Sequence, residues 1–587
     1  MQYRPSRFGA ERAWPSRRAW AVGVGAVLAA SAAQAQVSPI DEARRQSQII
    51  ERQQQERLRE AQERALPPPA APQGADLKDM QPQIGLPDVG PGCHNITELR
   101  IEGAQLLGTA TRAALGRDVA GRCLAASDIQ ALLALLTKDY IDRGYITTRV
   151  YLPAQDLGSG VLTLQVVEGT IERYRVEQDG RDAGSLSVRS AFPGRPGEPL
   201  NLRDLEQGLE QINNLRSNTA RLDLEPGSQP GQSVVVVRNH AERPVHLQLT
   251  YDNLGSPSTG RDNVAATMSF DSLLGLNELI MLTRNQTVPD HGAHKANGTA
   301  LRVALPWGYN TFSLDASESN YTNGLALPSG APVEATGRTT SYGLGLSRVV
   351  LRNQASRVSL TGRLATSDSR NYLSGQLLTV SSRKLATLNL GVNGFTQLAG
   401  GAFSGGLGYV RGLGALGALR DLPGTPDDYP HAQFDKFTLD LGYQRRLQAG
   451  PLPLQWTSQF SGQYSRQTLY GSQQFLIGSP ATVRGSLLNA LSGDHGMLLR
   501  NDIAWPWRAK AGDSNSVSGV VYVGWDIGRV NNHAGGDRLG SMTGATLGVA
   551  GQWKRFNFEV FASRAVHLPA FLTHEGTLYG VRLSYSM

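Results

Sequence analysis

The chain has 587 residues, is 40% hydrophobic and 18% charged, and carries 66 Gly, 30 Pro, 2 Cys and a formal net charge of +7. This composition excludes a wholly disordered chain, a collagen and a disulfide-dense miniprotein. Beyond the N-terminus nothing approaches ~18 consecutive apolar residues, which excludes a polytopic helical membrane protein and leaves the β-barrel as the open membrane class.

The first 35 residues predict a secretory signal: a stretch with Arg4, Arg7, Arg12, Arg17 and Arg18, an apolar run Ala19–Ala30, then Ala33-Gln34-Ala35 with cleavage after Ala35. The alternative, an uncleaved anchor, suits the short run and its flanks less well. Removing five Arg and one Glu lowers the net charge to +3, which gives no electrostatic case for nucleic acid. Asp41–Leu66 is rich in Gln, Glu and Arg and predicts a helix, with Ile49, Ile50 and Leu58 almost its only large apolar residues. At ~1.5 Å per residue it would be ~39 Å long, enough to cross a ~30 Å bilayer core. Polar on all sides, it would stand in a water-filled lumen or lie as a solvated tail. Pro67–Gly92 reads as a proline-rich, semi-rigid tether.

Two small α/β units follow. In the first, Ile96–Ile101 predicts a strand, Ser127 with Gln130 forms a capping-box pattern, and the helix after it spaces Ile129, Leu132, Leu133, Leu136 and Tyr140 for a core before Gly144. Strands Tyr145–Leu152 and Val161–Val167 complete it. Cys93 and Cys123 are an even pair in an exported chain, which favours a structural disulfide over two free thiols. The second unit runs from strand Ile171–Val176, through a helix capped by Asn201 and carrying Leu205, Leu209, Ile212 and Leu215, to strands Ala220–Leu224 and Ser233–Arg238.

After Arg243 the pattern changes to period 2. Val245, Leu247, Leu249 and Tyr251 alternate with His246, Gln248, Thr250 and Asp252, and the same texture recurs to Tyr579–Met587. A soluble sandwich also alternates, but here the second face carries Asp, Gln, Arg and Thr, which suits a wet lumen. At roughly 20 residues per strand and connection, the remaining chain makes about 16 strands. No enzymatic motif appears: HExxH and GxSxG are missing, and Gly406-Leu-Gly408-Tyr-Val-Arg-Gly412 misses the dinucleotide spacing with no helix after it. No cofactor or metal is expected. Val483-Arg484-Gly485 sits in a long break between strands, and Asp526, within Gly524-Trp-Asp-Ile-Gly528, points inward if Trp525 faces lipid. An inward charge must be hydrated or paired, and Arg holds a carboxylate in bidentate fashion. From the residues alone, a solvated Arg484 and an unrelated pore-lining Asp526 remain open.

These features together resemble the two-partner secretion transporters, the TpsB family of ShlB/FhaC/HecB type. The resemblance covers nearly the whole mature chain and rests on Cys93…Cys123, Gly144-Tyr145, Leu152-Pro-Ala-Gln-Asp-Leu157 with Gly160-Val-Leu162, Val483–Gly485, Gly493-Asp494 with Arg500-Asn501, and Asp526-x-Gly528. It implies a transmembrane antiparallel β-barrel of about 16 strands, preceded by two periplasmic α/β POTRA domains and an N-terminal plug helix. The implied divisions are 1–35 signal, 36–66 plug, 67–91 linker, 92–168 and 169–241 POTRA, and 242–587 barrel. It further implies that the Val483–Gly485 loop folds back into the barrel, where Arg484 pairs with Asp526. The implied function is export of a large exoprotein (an adhesin, haemolysin or contact-dependent toxin) without ATP, with outer-membrane lipid and the barrel assembly machinery as further partners. A barrel-assembly factor of BamA/TamA type is the alternative. The family's aromatic after the tripeptide is Ser486 here, and the usual terminal Phe is Met587.

Overall fold

A computed structural model describes residues 39–65, 92–179, 181–182, 187–290, 292–326, 332–510, 516–534 and 539–587. The predicted signal segment and the proline-rich tether lie outside the described residues.

The N-terminal α/β unit holds a three-stranded sheet in which Val161–Val167 is central, parallel to Glu98–Glu102 and antiparallel to Arg149–Tyr151. Helix Ala126–Asp142 packs Ile129, Leu133, Leu136 and Tyr140 against Leu162 and Leu164. Burial first, and then the Glu168 carboxylate that accepts the Tyr140 hydroxyl at 2.8 Å, push that phenol above its ordinary range. Four details differ from the sequence expectation. The strand expected over Ile96–Ile101 is two strands: Cys93–Ile96 pairs instead with Arg122–Ala125, and Cys93 is bonded to Cys123 with Cα atoms 5.3 Å apart. That crosslinked ribbon brings the chain extended up to Ala125, so the helix starts at Ala126 and Ser127 lies inside it. Asp128, not Gln130, then reaches back to accept the Ala125 N–H at 2.8 Å. Residues 145–148 form a turn after Gly144, so the strand shrinks to Arg149–Tyr151. Helix Thr109–Val119 was not expected; it buries only Leu115 and Val119, too little for an apolar stripe.

The second unit orders Arg181–Asp182, Thr170–Gln178, Gln232–Ala241 and Asn218–Pro226 in one sheet. Its helix Leu202–Asn213 begins with Asn201 accepting the Arg203 N–H at 2.9 Å. Leu205 and Ile212 face its core, while the opposite face buries Glu206, Gln207 and Gln211 against the turns of the third body.

That body is a closed antiparallel barrel of sixteen strands, with Gln376–Leu377 as a small flap. Strand Val245–Asp252 closes on Thr577–Ser586, Leu249 facing Tyr585, and Met587 exchanges backbone hydrogen bonds with Leu247 at 2.8 and 3.0 Å. One face of every strand is apolar and bare, as at Leu282, Leu314, Leu344, Leu390, Val523 and Leu547. The other face is polar and cross-bonded: Thr267 with Thr283 at 3.1 Å, Thr339 with Ser369 at 3.1 Å, Arg363 with Asp315 at 2.5 Å. Grease outside and hydrogen-bonded polar groups inside is the inverse of a soluble fold and the only arrangement in which such a sheet sits in a bilayer.

Candidate functional site: a plugged pore and its inward loop

Helix Pro39–Ala65 stands inside the barrel against the strands from Asn263–Asp271 to Pro332–Arg352. Its fastenings are mostly polar. Asn323 donates to Gln46 at 2.7 Å, Ser369 to the buried Glu51 at 2.5 Å, and Arg57 to the Leu254 carbonyl at 2.5 Å. The apolar part is small: Ile50 with Ala296 and Tyr321. Glycines make the room, since a Cβ on Gly471 would stand 2.2 Å from the Gln48 amide oxygen and one on Gly298 3.1 Å from Leu58. A helix that buries so little apolar surface is held by exchangeable hydrogen bonds, each worth only about 1 kcal/mol net.

Between strands Leu452–Ser465 and His495–Lys510 the chain folds back into the lumen. Val483 is fully buried with Ile477 and Met542. Arg484 meets the fully buried Asp526 three times: backbone N–H to Oδ2 at 2.9 Å, Nε to Oδ2 at 2.7 Å and Nη2 to Oδ1 at 2.6 Å. Its Nη1 lies 2.8 Å from Asp502, while Arg500, directly opposite Asp526 on the next strand, donates to the Ala481 carbonyl at 2.5 Å. Two Arg and two Asp thus make a neutral cluster, buried at Arg484 and Asp526 and half-buried at Arg500 and Asp502.

The wall is shaped to receive this loop. A Cβ on Gly544, which pairs with Asp526, would lie 1.9 Å from the Arg484 carbonyl; one on Gly524 would lie 2.4 Å from Nη2, and one on Gly528 2.8 Å from Val483. Gly485 has φ +105° and its Cβ would strike the backbone of Arg564 and Ala565 at 2.3 Å, so only Gly fits. Alternation placed Asp526 and Gly528 on the inner face; Gly544 carried no such signal because its role exists only across strands.

Two further carboxylates hold the loop: Asp494, from the Gly493-Asp494 turn already singled out in the sequence, and Glu575, which went unread there. Asp494, fully buried, accepts the N–H groups of Leu469 at 2.8 Å and His533 at 2.9 Å, tying the base of the loop. Glu575, from the connection before the last strand, accepts the N–H of Leu487 at 2.8 Å and of Leu488 at 3.1 Å, the Asn489 amide at 2.8 Å, and the Ser486 hydroxyl. Ser486 therefore has a role where the family usually places an aromatic: a hydroxyl small enough to admit Glu575 to the loop tip.

The family model described as "Haemolysin secretion/activation protein ShlB/FhaC/HecB" matches residues 231–551, and two POTRA domain models match 94–169 and 170–226. The chain belongs to the ShlB/FhaC/HecB family. The outer membrane transporter CdiB of Dickeya dadantii is 33% identical over 562 residues, 95% of this chain and 96% of that protein. The hemolysin transporter protein ShlB of Serratia marcescens is 34% identical over 512 residues, 86% of each chain. The solved structure of CdiB from Escherichia coli superposes with a TM-score of 0.79 at 30% identity, covering 93% of this chain and 98% of that one. ShlB/FhaC/HecB proteins of this kind are two-partner secretion transporters, so the barrel lies in the outer membrane with both POTRA domains in the periplasm.

Proposed function

We propose that this chain exports one large exoprotein, received by its POTRA domains and passed through the barrel as an extended polypeptide. The carrying observation is a polar lumen closed by a helix held mainly through replaceable hydrogen bonds. The POTRA sheets end in strands Glu98–Glu102 and Asn218–Pro226, edges that suit an extended client: backbone pairing supplies affinity and side-chain pockets supply choice. The periplasm offers no ATP, so direction comes from folding outside, which prevents return through the pore. Arg484 and Asp526 act by holding the loop against the wall, so that the space freed by the helix has a fixed boundary.

The test is co-expression with a candidate exoprotein, ideally one encoded beside this chain and carrying a long repetitive β-helical pattern. The expected result is exoprotein at the surface or in the medium only when this chain is present, and its loss in R484A and D526A at unchanged barrel levels. Export without this chain would refute the proposal. Depletion of unrelated outer-membrane barrels on its removal would instead favour an assembly factor.

A further inference from the structure

The outward face of the barrel is apolar across its middle and carries charges at its rims, and one cluster of these spans three neighbouring strands at the outer rim. On the lipid-facing side Arg338 stands directly opposite Arg370 on the neighbouring strand, with side chains 62% and 63% exposed. Like charges placed opposite one another destabilise a sheet. Glu318 at 2.5 Å from Arg338 and Asp368 at 3.5 Å from Arg370 relieve part of that repulsion. Lys384, opposite Asp368 on the third strand, is in no ion pair with a described residue. Arg338, Arg370, Asp368 and Lys384, together with Tyr342 and Tyr372, line an outward cleft of about 420 Å³.

Position along the strand identifies what fills it. Strand Pro332–Arg352 ends at Arg352 on the second POTRA domain, so Arg338 lies toward the opposite, extracellular rim. Arg348 and Arg338 share the outward face ten residues apart, ~33 Å along the strand and ~25 Å in height at the usual tilt, the height of a barrel's apolar band. Between them the strand shows Tyr342, Leu344 and Leu346, flanked by Leu360 and Leu390 on its neighbours. The cations therefore stand just above the acyl region, at the depth of the outer-leaflet headgroups.

We propose that Arg338, Arg370 and Lys384 form a binding site for a phosphate group of the outer leaflet's phosphorylated saccharolipid. The guanidinium forks take the phosphate oxygens in bidentate fashion, Lys384 supplies a point charge, and the acyl chains lie on Tyr342, Leu344 and Leu390. The Arg–Arg opposition, only partly relieved by Glu318 and Asp368, is what the phosphate would complete.

The test uses the purified full-length chain in nanodiscs. Bound lipid is titrated by native mass spectrometry with bisphosphorylated lipid A, the same lipid dephosphorylated, and inorganic phosphate as competitor. Expected are tenfold or greater preference for the phosphorylated lipid, no competition by millimolar phosphate, and on the order of a hundredfold weaker binding in R338Q/R370Q/K384Q, from roughly fivefold per charge. R445Q, at the opposite rim, should bind as the wild type does. Heat-modifiable mobility reports barrel folding; should the triple variant fail it, R338Q and R370Q are read singly, each with a roughly fivefold loss. Equal binding of the two lipids would reduce the cleft to acyl contact. Unchanged binding in the folded variants would place the lipid elsewhere, and competition by phosphate would mean an adventitious ion only; each of these overturns the proposal.

Discussion

Arg484 and Asp526 are the buried ion pair at the centre of a four-charge cluster, Arg484 also reaching Asp502 at 2.8 Å and Asp526 lying 3.7 Å from Arg500, with Asp526 fully buried and Arg484 6% exposed. Desolvation makes such a pair nearly neutral for stability as a pair, yet removing one member leaves an unmatched charge and costs about 3–5 kcal/mol. R484A and D526A should each lower the barrel's unfolding temperature, whereas R484A/D526A should recover part of the loss, a coupling read from a double-mutant cycle. R484K should not restore export, because a lysine cannot occupy both carboxylate oxygens while its own backbone N–H is fixed on Oδ2. E575Q tests the tip separately: it retains the shape but loses charge-assisted bonds worth about 1.5–3 kcal/mol each, so protease cleavage near 486–489 should rise while the Arg484 site stays intact.

Among the elements, the crosslinked ribbon of the first POTRA domain and the plug helix lie at opposite ends of the stability range. The Cys93–Cys123 bond closes a separation of 30 residues, for which loop entropy predicts about 3.5 kcal/mol of stabilisation. Reduction, or C93S/C123S, should lower the unfolding free energy of the POTRA region by about that amount, read from denaturant unfolding, and leave the barrel's heat-modifiable mobility unchanged. The helix, by contrast, is secured by hydrogen bonds and by small apolar contacts at Ile50 and Leu58. Its all-polar sequence was legible as unable to face lipid; which wall it would lie against was not, because that depends on Gly298 and Gly471 being bare where Leu58 and Gln48 pass.

The whole molecule is joined by a polar hinge plate. Helix Leu202–Asn213 sets Glu210 2.6 Å from Arg352 and also against Arg357, its Gln207 accepts from Arg352 at 3.0 Å, and Tyr309 donates to Asp204 at 2.6 Å. Burial pushes both the Tyr309 phenol and the Asp204 carboxyl up, the hydrogen bond drawing the latter partly back. These contacts fix the second POTRA domain at the barrel mouth. E210A should broaden the distance distribution between spin labels on the two bodies and, if delivery needs that alignment, lower export with the barrel itself unaltered. Deleting residues 39–65 should raise single-channel conductance in planar bilayers; unchanged conductance would mean that the helix is not what closes the pore.

The sequence by itself determined the wall. Alternation from Val245 onward, with Asp, Gln, Arg and Thr on the second face, fits a sheet with lipid on one side and water on the other, and such a sheet must close to leave no free edge in the bilayer. It likewise put Asp526 on the face opposite Trp525, inward once Trp525 faces lipid, since period 2 sets adjacent residues on opposite faces. Only the tertiary structure decided what Asp526 meets, that Glu575 and Asp494 grip the same loop, and that Gly524, Gly528 and Gly544 from two strands make one bay. It also decided that the charged side of helix Leu202–Asn213 is docked against the barrel mouth. The physical reason is common to all of these. Local patterning reports which medium a side chain faces, whereas pairing across tens or hundreds of residues depends on shapes, often absent side chains, that come into register only once the barrel has closed.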